Sequence, residues 1–146
     1  MAIRKASAVW ESNLENGHGT VTLGDGGLEV PYSFASRFED GSGSNPEELV
    51  GGAHAGCFAM ALAHALGEAG HPPVRIKAAA HVHLEKSGDG FAIPRIELET
   101  EAEVPGIGGE EFERIAQAAK QNCPLSKLLA AADITLQAKL LSEQKA

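Results

Sequence analysis

Polar and apolar residues alternate along two long stretches of the chain. From Arg75 to Lys86 the apolar set is Ile76, Ala78, Ala80, Val82 and Leu84. From Arg95 to Val104 it is Ile96, Leu98, Ala102 and Val104 with Thr100, while Arg95, Glu97, Glu99, Glu101 and Glu103 take the opposite side. A period of two predicts strands with one wet face. The intervening Ser87-Gly88-Asp89-Gly90 predicts a hairpin turn between them. Phe91 and Ile93 are out of phase with Ile96 and Pro94 stands at the shift, so a bulge is expected there. Shorter strands are predicted over Arg4–Trp10, Thr20–Leu23 and Leu28–Phe34. Gly24-Asp25-Gly26-Gly27 accepts the positive φ angles of a turn between the last two, and Pro31 confines its strand to an edge or a bulge. Asp133–Leu141, with Ile134, Leu136, Ala138 and Leu140 on one face, predicts a closing strand.

Elsewhere the period changes to 3.6. Glu39 to Asn45 (EDGSGSN) reads as a mobile loop, after which Asn45-Pro46-Glu47-Glu48 carries helix-start chemistry. Asn45 suits the N-cap, Pro46 the first helical position, and Glu48 the third residue of a capping box. Leu49, Val50, Ala53, Cys57, Phe58, Ala61, Leu62, Ala65 and Leu66 continue the helix until Gly67, Gly70 and Pro72-Pro73 stop it. Few positions on it are polar, so it needs cover on nearly every side, more than one small domain supplies; a second copy of the chain would supply it. Gly108–Gln121 is amphipathic through Phe112, Ile115, Ala116 and Ala119, and a break at Asn122-Cys123-Pro124 leads to a short helix over Leu125–Ala132. Strands segregated from helices, with antiparallel hairpins, give an α+β class.

The 146 residues fit a single domain spanning 1–146, and 43% hydrophobic with 22% charged is an ordinary globular balance. A net charge of −8 without a Lys/Arg cluster argues against nucleic acid or an anionic membrane as partner. The basic N-terminus MAIRKASAVW lacks an apolar segment behind it, so no secretory signal is read and a cytoplasmic location is expected. Leu49 to Leu66 holds no Asp, Glu, Lys or Arg and just reaches the ~18 residues of a spanning helix. It is Ala- and Gly-rich, contains His54 and His64 and lacks flanking anchors, which favours a buried central helix over a membrane span.

With only two cysteines, the chain has no disulfide scaffold, and each thiol is either inert packing or chemistry. Cys57, in the middle of His54-Ala55-Gly56-Cys57-Phe58, taken alone reads as a small core hydrophobe. Cys123 falls at a helix start, where free N–H groups and the helix dipole favour a thiolate. His54, one turn before Cys57, reads as a core or dimer-contact histidine ahead of a Cys–His dyad, and Glu48 as a cap. His81 and His83 share a strand face without a third ligand at a telling spacing, so no metal is expected. The acidic strand face reads as solvated. Phe34, Phe38, Phe58 and Met60 are equally core packing or an alkyl-binding lining.

Four segments together resemble one family. Asn45-Pro46-Glu47-Glu48-Leu49, Ala53-His54-Ala55-Gly56-Cys57, Val104-Pro105-Gly106-Ile107 and Asn122-Cys123-Pro124-Leu125-Ser126-Lys127 are similar, in order and spacing, to the OsmC/Ohr family of thiol-dependent peroxidases. Ser36-Arg37-Phe38-Glu39 resembles the arginine-bearing loop of the OsmC branch; in the Ohr branch the arginine comes earlier. The resemblance implies an intertwined homodimer whose antiparallel sheets wrap paired central helices. It implies reduction of organic hydroperoxides and hydrogen peroxide with no cofactor, and an external dithiol reductant of lipoyl or thioredoxin type. By the same resemblance Cys57 is peroxidatic, Cys123 resolving, and Arg37 and Glu47 assist.

That chemistry demands an ionised sulfur. A cysteine of pKa ~8.5 is only a few per cent thiolate at neutral pH, and apolar burial lowers the fraction further. Bringing the pKa to about 6 takes roughly 3.4 kcal/mol, and a guanidinium near 4 Å supplies about 4 kcal/mol at an effective dielectric of ~20. Arg37 is the candidate cation and Glu47 the carboxylate that would fix its fork by a bidentate pair. Glu47 and Cys57 stand ten positions apart on one expected helix, about 15 Å along its axis, so both serve one site only if Glu47 reaches Cys57 of a second chain. Two other readings compete: a non-enzymatic redox sensor built on the same cysteines, and a dimeric small-molecule binding module with inert thiols.

Overall fold

A computed structural model describes residues 2–141. By internal contacts the chain divides into two compact units, Met1–Leu49 and Val50–Ala146.

In the first unit, β1 (Ala6–Glu11), β2 (His18–Leu23) and β3 (Leu28–Ser33) form an antiparallel sheet in the order β1-β2-β3. Gly24 (φ 67°) and Gly26 (φ 100°) make the turn expected between β2 and β3. Pro31 lies on the edge strand β3, where a missing N–H costs no inner ladder bond. The alternation that suggested a strand through Phe34 ends one residue early. Phe34–Phe38 is instead a short helix, α1, opened by a reciprocal capping box. Ser36 N–H donates to Ser33 Oγ (3.1 Å), and Ser33 N–H donates to Ser36 Oγ (2.8 Å).

The segment after α1, expected to be mobile, is tied down by hydrogen bonds. Ser36 Oγ lies 2.6 Å from the Ser44 carbonyl, Asn45 Nδ2 donates to the Ser36 carbonyl (2.9 Å), and Ser44 N–H donates to the Pro31 carbonyl (3.0 Å). Gly43 (φ 102°) lets the backbone pass this close, since a Cβ there would stand 2.9 Å from the Pro31 oxygen.

Helix α2 (Pro46–Glu68) begins as its sequence indicates, with Asn45 Oδ1 accepting the Glu48 N–H at 2.8 Å. The expected capping box is only half made, because the Glu48 carboxylate accepts from the Ser44 hydroxyl (2.6 Å). At the other end Gly70 (φ 85°) completes a Schellman stop, with His71 N–H on the Leu66 carbonyl (2.8 Å) and Gly70 N–H on that of Gly67 (3.0 Å).

The second unit contains β4 (Arg75–Ser87), β5 (Gly90–Glu103), α3 (Gly109–Asn122), α4 (Pro124–Leu128) and β6 (Asp133–Leu140). Strands β4 and β5 form the expected hairpin across a turn at Gly88-Asp89. Between the pairs His83↔Arg95 and Glu85↔Ala92, Leu84 faces both Ile93 and Pro94, so the bulge lies where the phase shift placed it. The expectation of antiparallel sheets fails at β6, which runs parallel to β5, Arg95 pairing with Asp133 and Ala102 with Leu140. The helices α3 and α4 form the crossover that a parallel pair requires. Helix α4 is also shorter than its sequence suggested, ending at Leu128.

The inner faces of β5 and of helices α2 and α3 form one core. Phe58, Leu62 and Leu66 from α2 pack with Leu98, Ala102 and Val104, with Phe112, Ile115, Ala116 and Ala119, and with Cys123. Each large aliphatic or aromatic member contributes about 1.5–3 kcal/mol by leaving water.

Candidate functional site

The first unit holds Arg37 and Glu47. Arg37 sits on α1, a helix where a loop was expected, and Glu47 lies in the first turn of α2. The guanidinium grips the carboxylate with two parallel bonds, Nε to Oε1 at 3.1 Å and Nη2 to Oε2 at 2.8 Å. Glu47 is only 8% exposed, so this pair is far better sheltered than an ordinary surface ion pair. Arg37 also lies 5.3 Å from the centre of the Phe38 ring, which fixes the other face of its fork. A cavity of about 200 Å³ opens beside it, lined by Trp10, Leu14, Tyr32, Phe34 and Phe38. Of the four apolar candidates, Phe34 and Phe38 thus line a cavity, Phe58 is wholly buried core, and Met60 is exposed on α2.

The second unit holds both cysteines. Cys57 is half-buried in the middle of α2, and Cys123, fully buried, is the N-cap of α4; both thiols are free and hydrogen-bonded to each other. The Leu125 N–H, next in the first turn of α4, points at the Cys57 sulfur. The helix start noticed in the sequence around Cys123 therefore acts on Cys57. Burial pushes the Cys57 thiol above its ordinary pKa, the Leu125 N–H pulls it back, and Cys123 pushes it up again through their hydrogen bond and its charge. The groups acting on this sulfur all belong to the second unit.

His54 is fully buried three residues before Cys57, and its Nε2 lies 2.8 Å from Oγ of Ser126, three residues after Cys123. This is a core histidine rather than a partner for the thiol. Burial pushes its pKa down, which keeps the ring neutral. Ser126, which the sequence reading quoted within a family segment, was given no role there, because nothing local marks it as the contact of a residue on another helix. His81 and His83 pair with carboxylates of the neighbouring strand, His83 Nε2 to Glu97 Oε1 at 2.8 Å and His81 Nε2 to Glu99 Oε2 at 3.3 Å. The hydrogen bond from His83 holds the Glu97 carboxyl below its usual range.

Comparison with known proteins identifies the family. Residues 39–139 match the model of the family described as OsmC-like protein. The chain is 49% identical over 140 residues to the protein named Peroxiredoxin OsmC of Escherichia coli (strain K12), covering 95% of this chain and 97% of that one. Among solved structures, an organic hydroperoxide resistance protein OsmC from Legionella pneumophila superposes with a TM-score of 0.70 at 23% identity, over 95% of this chain and 99% of that one. An OsmC-like protein from Mycoplasma pneumoniae gives a TM-score of 0.76 at 14% identity, over 97% and 99%. These two likenesses establish the shared fold, and the family match with the close relative establishes descent: the chain belongs to the OsmC family.

Proposed function

We propose that the chain is a homodimeric thiol peroxidase that reduces organic hydroperoxides, and hydrogen peroxide, through Cys57 and Cys123. Its membership of the OsmC family and its likeness to a peroxiredoxin make it a peroxidase. The observation that carries the assignment of residues is the contact of the two thiols at the start of α4, with the Leu125 N–H on Cys57. Cys57, the more exposed, is the peroxidatic sulfur, and the buried Cys123 resolves it.

The activating cation comes from a second subunit. Cys57 is held protonated by its own surroundings, and Glu47, which fixes Arg37, stands about 15 Å from it along the shared helix. Arg37 and Glu47 of the partner subunit therefore complete each site, and two equivalent sites are related by a two-fold axis. The state of α2 supports such an assembly. By length and composition this helix is apolar enough to cross a membrane, yet only 28% of its apolar stretch is buried within the chain. Gly52, Ala53, Gly56, Met60 and His64 are exposed on it, which leaves a flat surface for the same helix of a second copy. With that copy in place residues 1–146 form one OsmC-like domain, and the protein works in the cytoplasm.

The reaction balances with no cofactor. The Cys57 thiolate attacks the distal peroxide oxygen and the O–O bond breaks. The leaving alkoxide takes up a proton as the alcohol, and the sulfur becomes a sulfenic acid. The Cys123 thiol then condenses with it, forming the disulfide and releasing water. An external dithiol, a lipoyl group or a thioredoxin-type protein, reduces the bridge and is itself oxidised to a disulfide. The aromatic cavity beside Arg37 suits the alkyl part of an organic hydroperoxide.

Peroxide consumption with several dithiols tests this reading. The wild type should turn over repeatedly, Cys57→Ser should consume nothing above background, and Cys123→Ser should oxidise once and then stall or over-oxidise. A wild type that oxidised once and stopped would be a redox sensor, and sustained turnover by Cys123→Ser would remove the resolving role.

A further inference from the structure

Beyond the thiols, one buried polar contact joins the same two elements. His54 precedes Cys57 by three residues on α2, Ser126 follows Cys123 by three on α4, and the two side chains meet at 2.8 Å with 0% and 7% exposure. Helix α4 is therefore held to α2 at two neighbouring points, by the sulfurs and by this hydrogen bond. The proton can be placed. His54 Nδ1 is buried without a partner among the described residues, and an unmatched N–H there would cost more than an idle lone pair. The neutral ring therefore carries its proton on Nε2 and donates it to Ser126 Oγ.

We infer that His54 and Ser126 are a positioning pair for the resolving step: their hydrogen bond holds the Cys123 end of α4 within bonding distance of Cys57. This rests on the assignment of Cys57 and Cys123 given above. A disulfide needs its two Cα atoms about 4.4–6.8 Å apart, a tolerance that a short helix loosened from α2 would exceed. Helix α4 has only five residues, and Pro124 denies its first turn one backbone donor to α3. Once Cys57 is a sulfenic acid, two reactions compete for it: condensation with the Cys123 thiol, which releases water, and attack on a second peroxide, which gives the sulfinic acid and an alcohol. The clamp favours the first.

The test is the partition between these products. Reduced wild type, Ser126→Ala, Ser126→Thr and His54→Gln proteins are exposed to graded organic hydroperoxide, and the Cys57–Cys123 disulfide and Cys57 sulfinic acid are quantified by mass spectrometry. Ser126→Ala should raise the sulfinic-to-disulfide ratio roughly tenfold at equal peroxide. Ser126→Thr, which keeps the hydroxyl, should restore it, and His54→Gln, which keeps a donor, should lie between. Mere loosening of the fold would slow formation of the sulfenic acid without the hydroxyl-dependent recovery in Ser126→Thr, and circular dichroism checks that each variant is folded. An unchanged ratio in folded Ser126→Ala overturns the inference. A wild type forming no Cys57–Cys123 disulfide overturns instead the assignment of the cysteines.

Discussion

The two units of the chain bury different things. In Met1–Leu49 the buried positions are Gly19, Ser36 and Glu47, and every hydrophobic residue described there keeps some exposure. In Val50–Ala146 the buried set is Phe58, Leu62, Leu66, Ile96, Leu98, Phe112 and their neighbours, with Cys123 among them. One unit is organised around polar contacts, namely a capping box, a hydrogen-bonded loop and a bidentate ion pair; the other is organised around an oily core. The difference matches the chemistry each supplies. A guanidinium must stay hydrated or paired to keep its place, whereas a thiol buried in a core is protonated until a charge is brought to it. On the proposed reading, separating the two requirements lets each be met and leaves activation to a second copy of the chain.

Disrupting the proposed dimer should have the largest effect. Gly56 is exposed on α2 with open space around the position a Cβ would take, so Gly56→Leu fits the single chain and even gains about 0.8 kcal/mol of helix propensity. We expect it to sediment as a monomer, with peroxide turnover falling to the level of Cys57→Ser. Its thiol alkylation rate should rise only at pH values above those of an ordinary cysteine, because a raised pKa leaves less thiolate at neutral pH. A dimeric, active Gly56→Leu protein would break the comparison between the units.

Removing the cation while keeping the assembly comes next. Arg37→Ala should slow Cys57 alkylation at pH 7 roughly a hundredfold and shift its pH profile upward, since about 3 kcal/mol of thiolate stabilisation is lost. Glu47→Gln keeps the charge and loses only the bidentate hold, so the slowing should be nearer tenfold. An unmoved profile in Arg37→Ala would dismiss the arginine as activator. The smallest effect is expected at Ser36→Ala, which leaves the Ser33 N–H and Ser44 carbonyl without their hydroxyl partner. It should cost about 1 kcal/mol of stability in urea titration and lower activity only slightly. A loss as deep as that of Arg37→Ala would mean that the loop does more than hold the arginine.

Features written in local periodicity were legible from the sequence. The alternation along β5, the bulge opposite Leu84, the Asn45 cap and the glycine stop of α2 each depend on neighbours in the chain. The Arg37–Glu47 pair was legible through residue type and family resemblance together, and the structure shows its geometry. Features set by distant contacts were not. Periodicity gives the faces of β6 but not the direction of its partner, and the only clue to parallel pairing was the pair of helices between β5 and β6. Helix α1 was hidden because the strand alternation ran on through Phe34, although the serines at 33 and 36 carried its cap. The dipole expected at Cys123 was misplaced, since a five-residue helix has little of one and its N–H faces the other sulfur.

The parallel return of β6 also places Cys123 at a joint in the backbone path from β5 through α3 and α4. A bond from that joint to the long helix closes a ring of chain around most of the core, removing freedom that the unfolded polypeptide otherwise has, about 4 kcal/mol for a ring of this size. In the proposed cycle the oxidised form would therefore resist unfolding more than the reduced form, a difference that the reducing dithiol would remove.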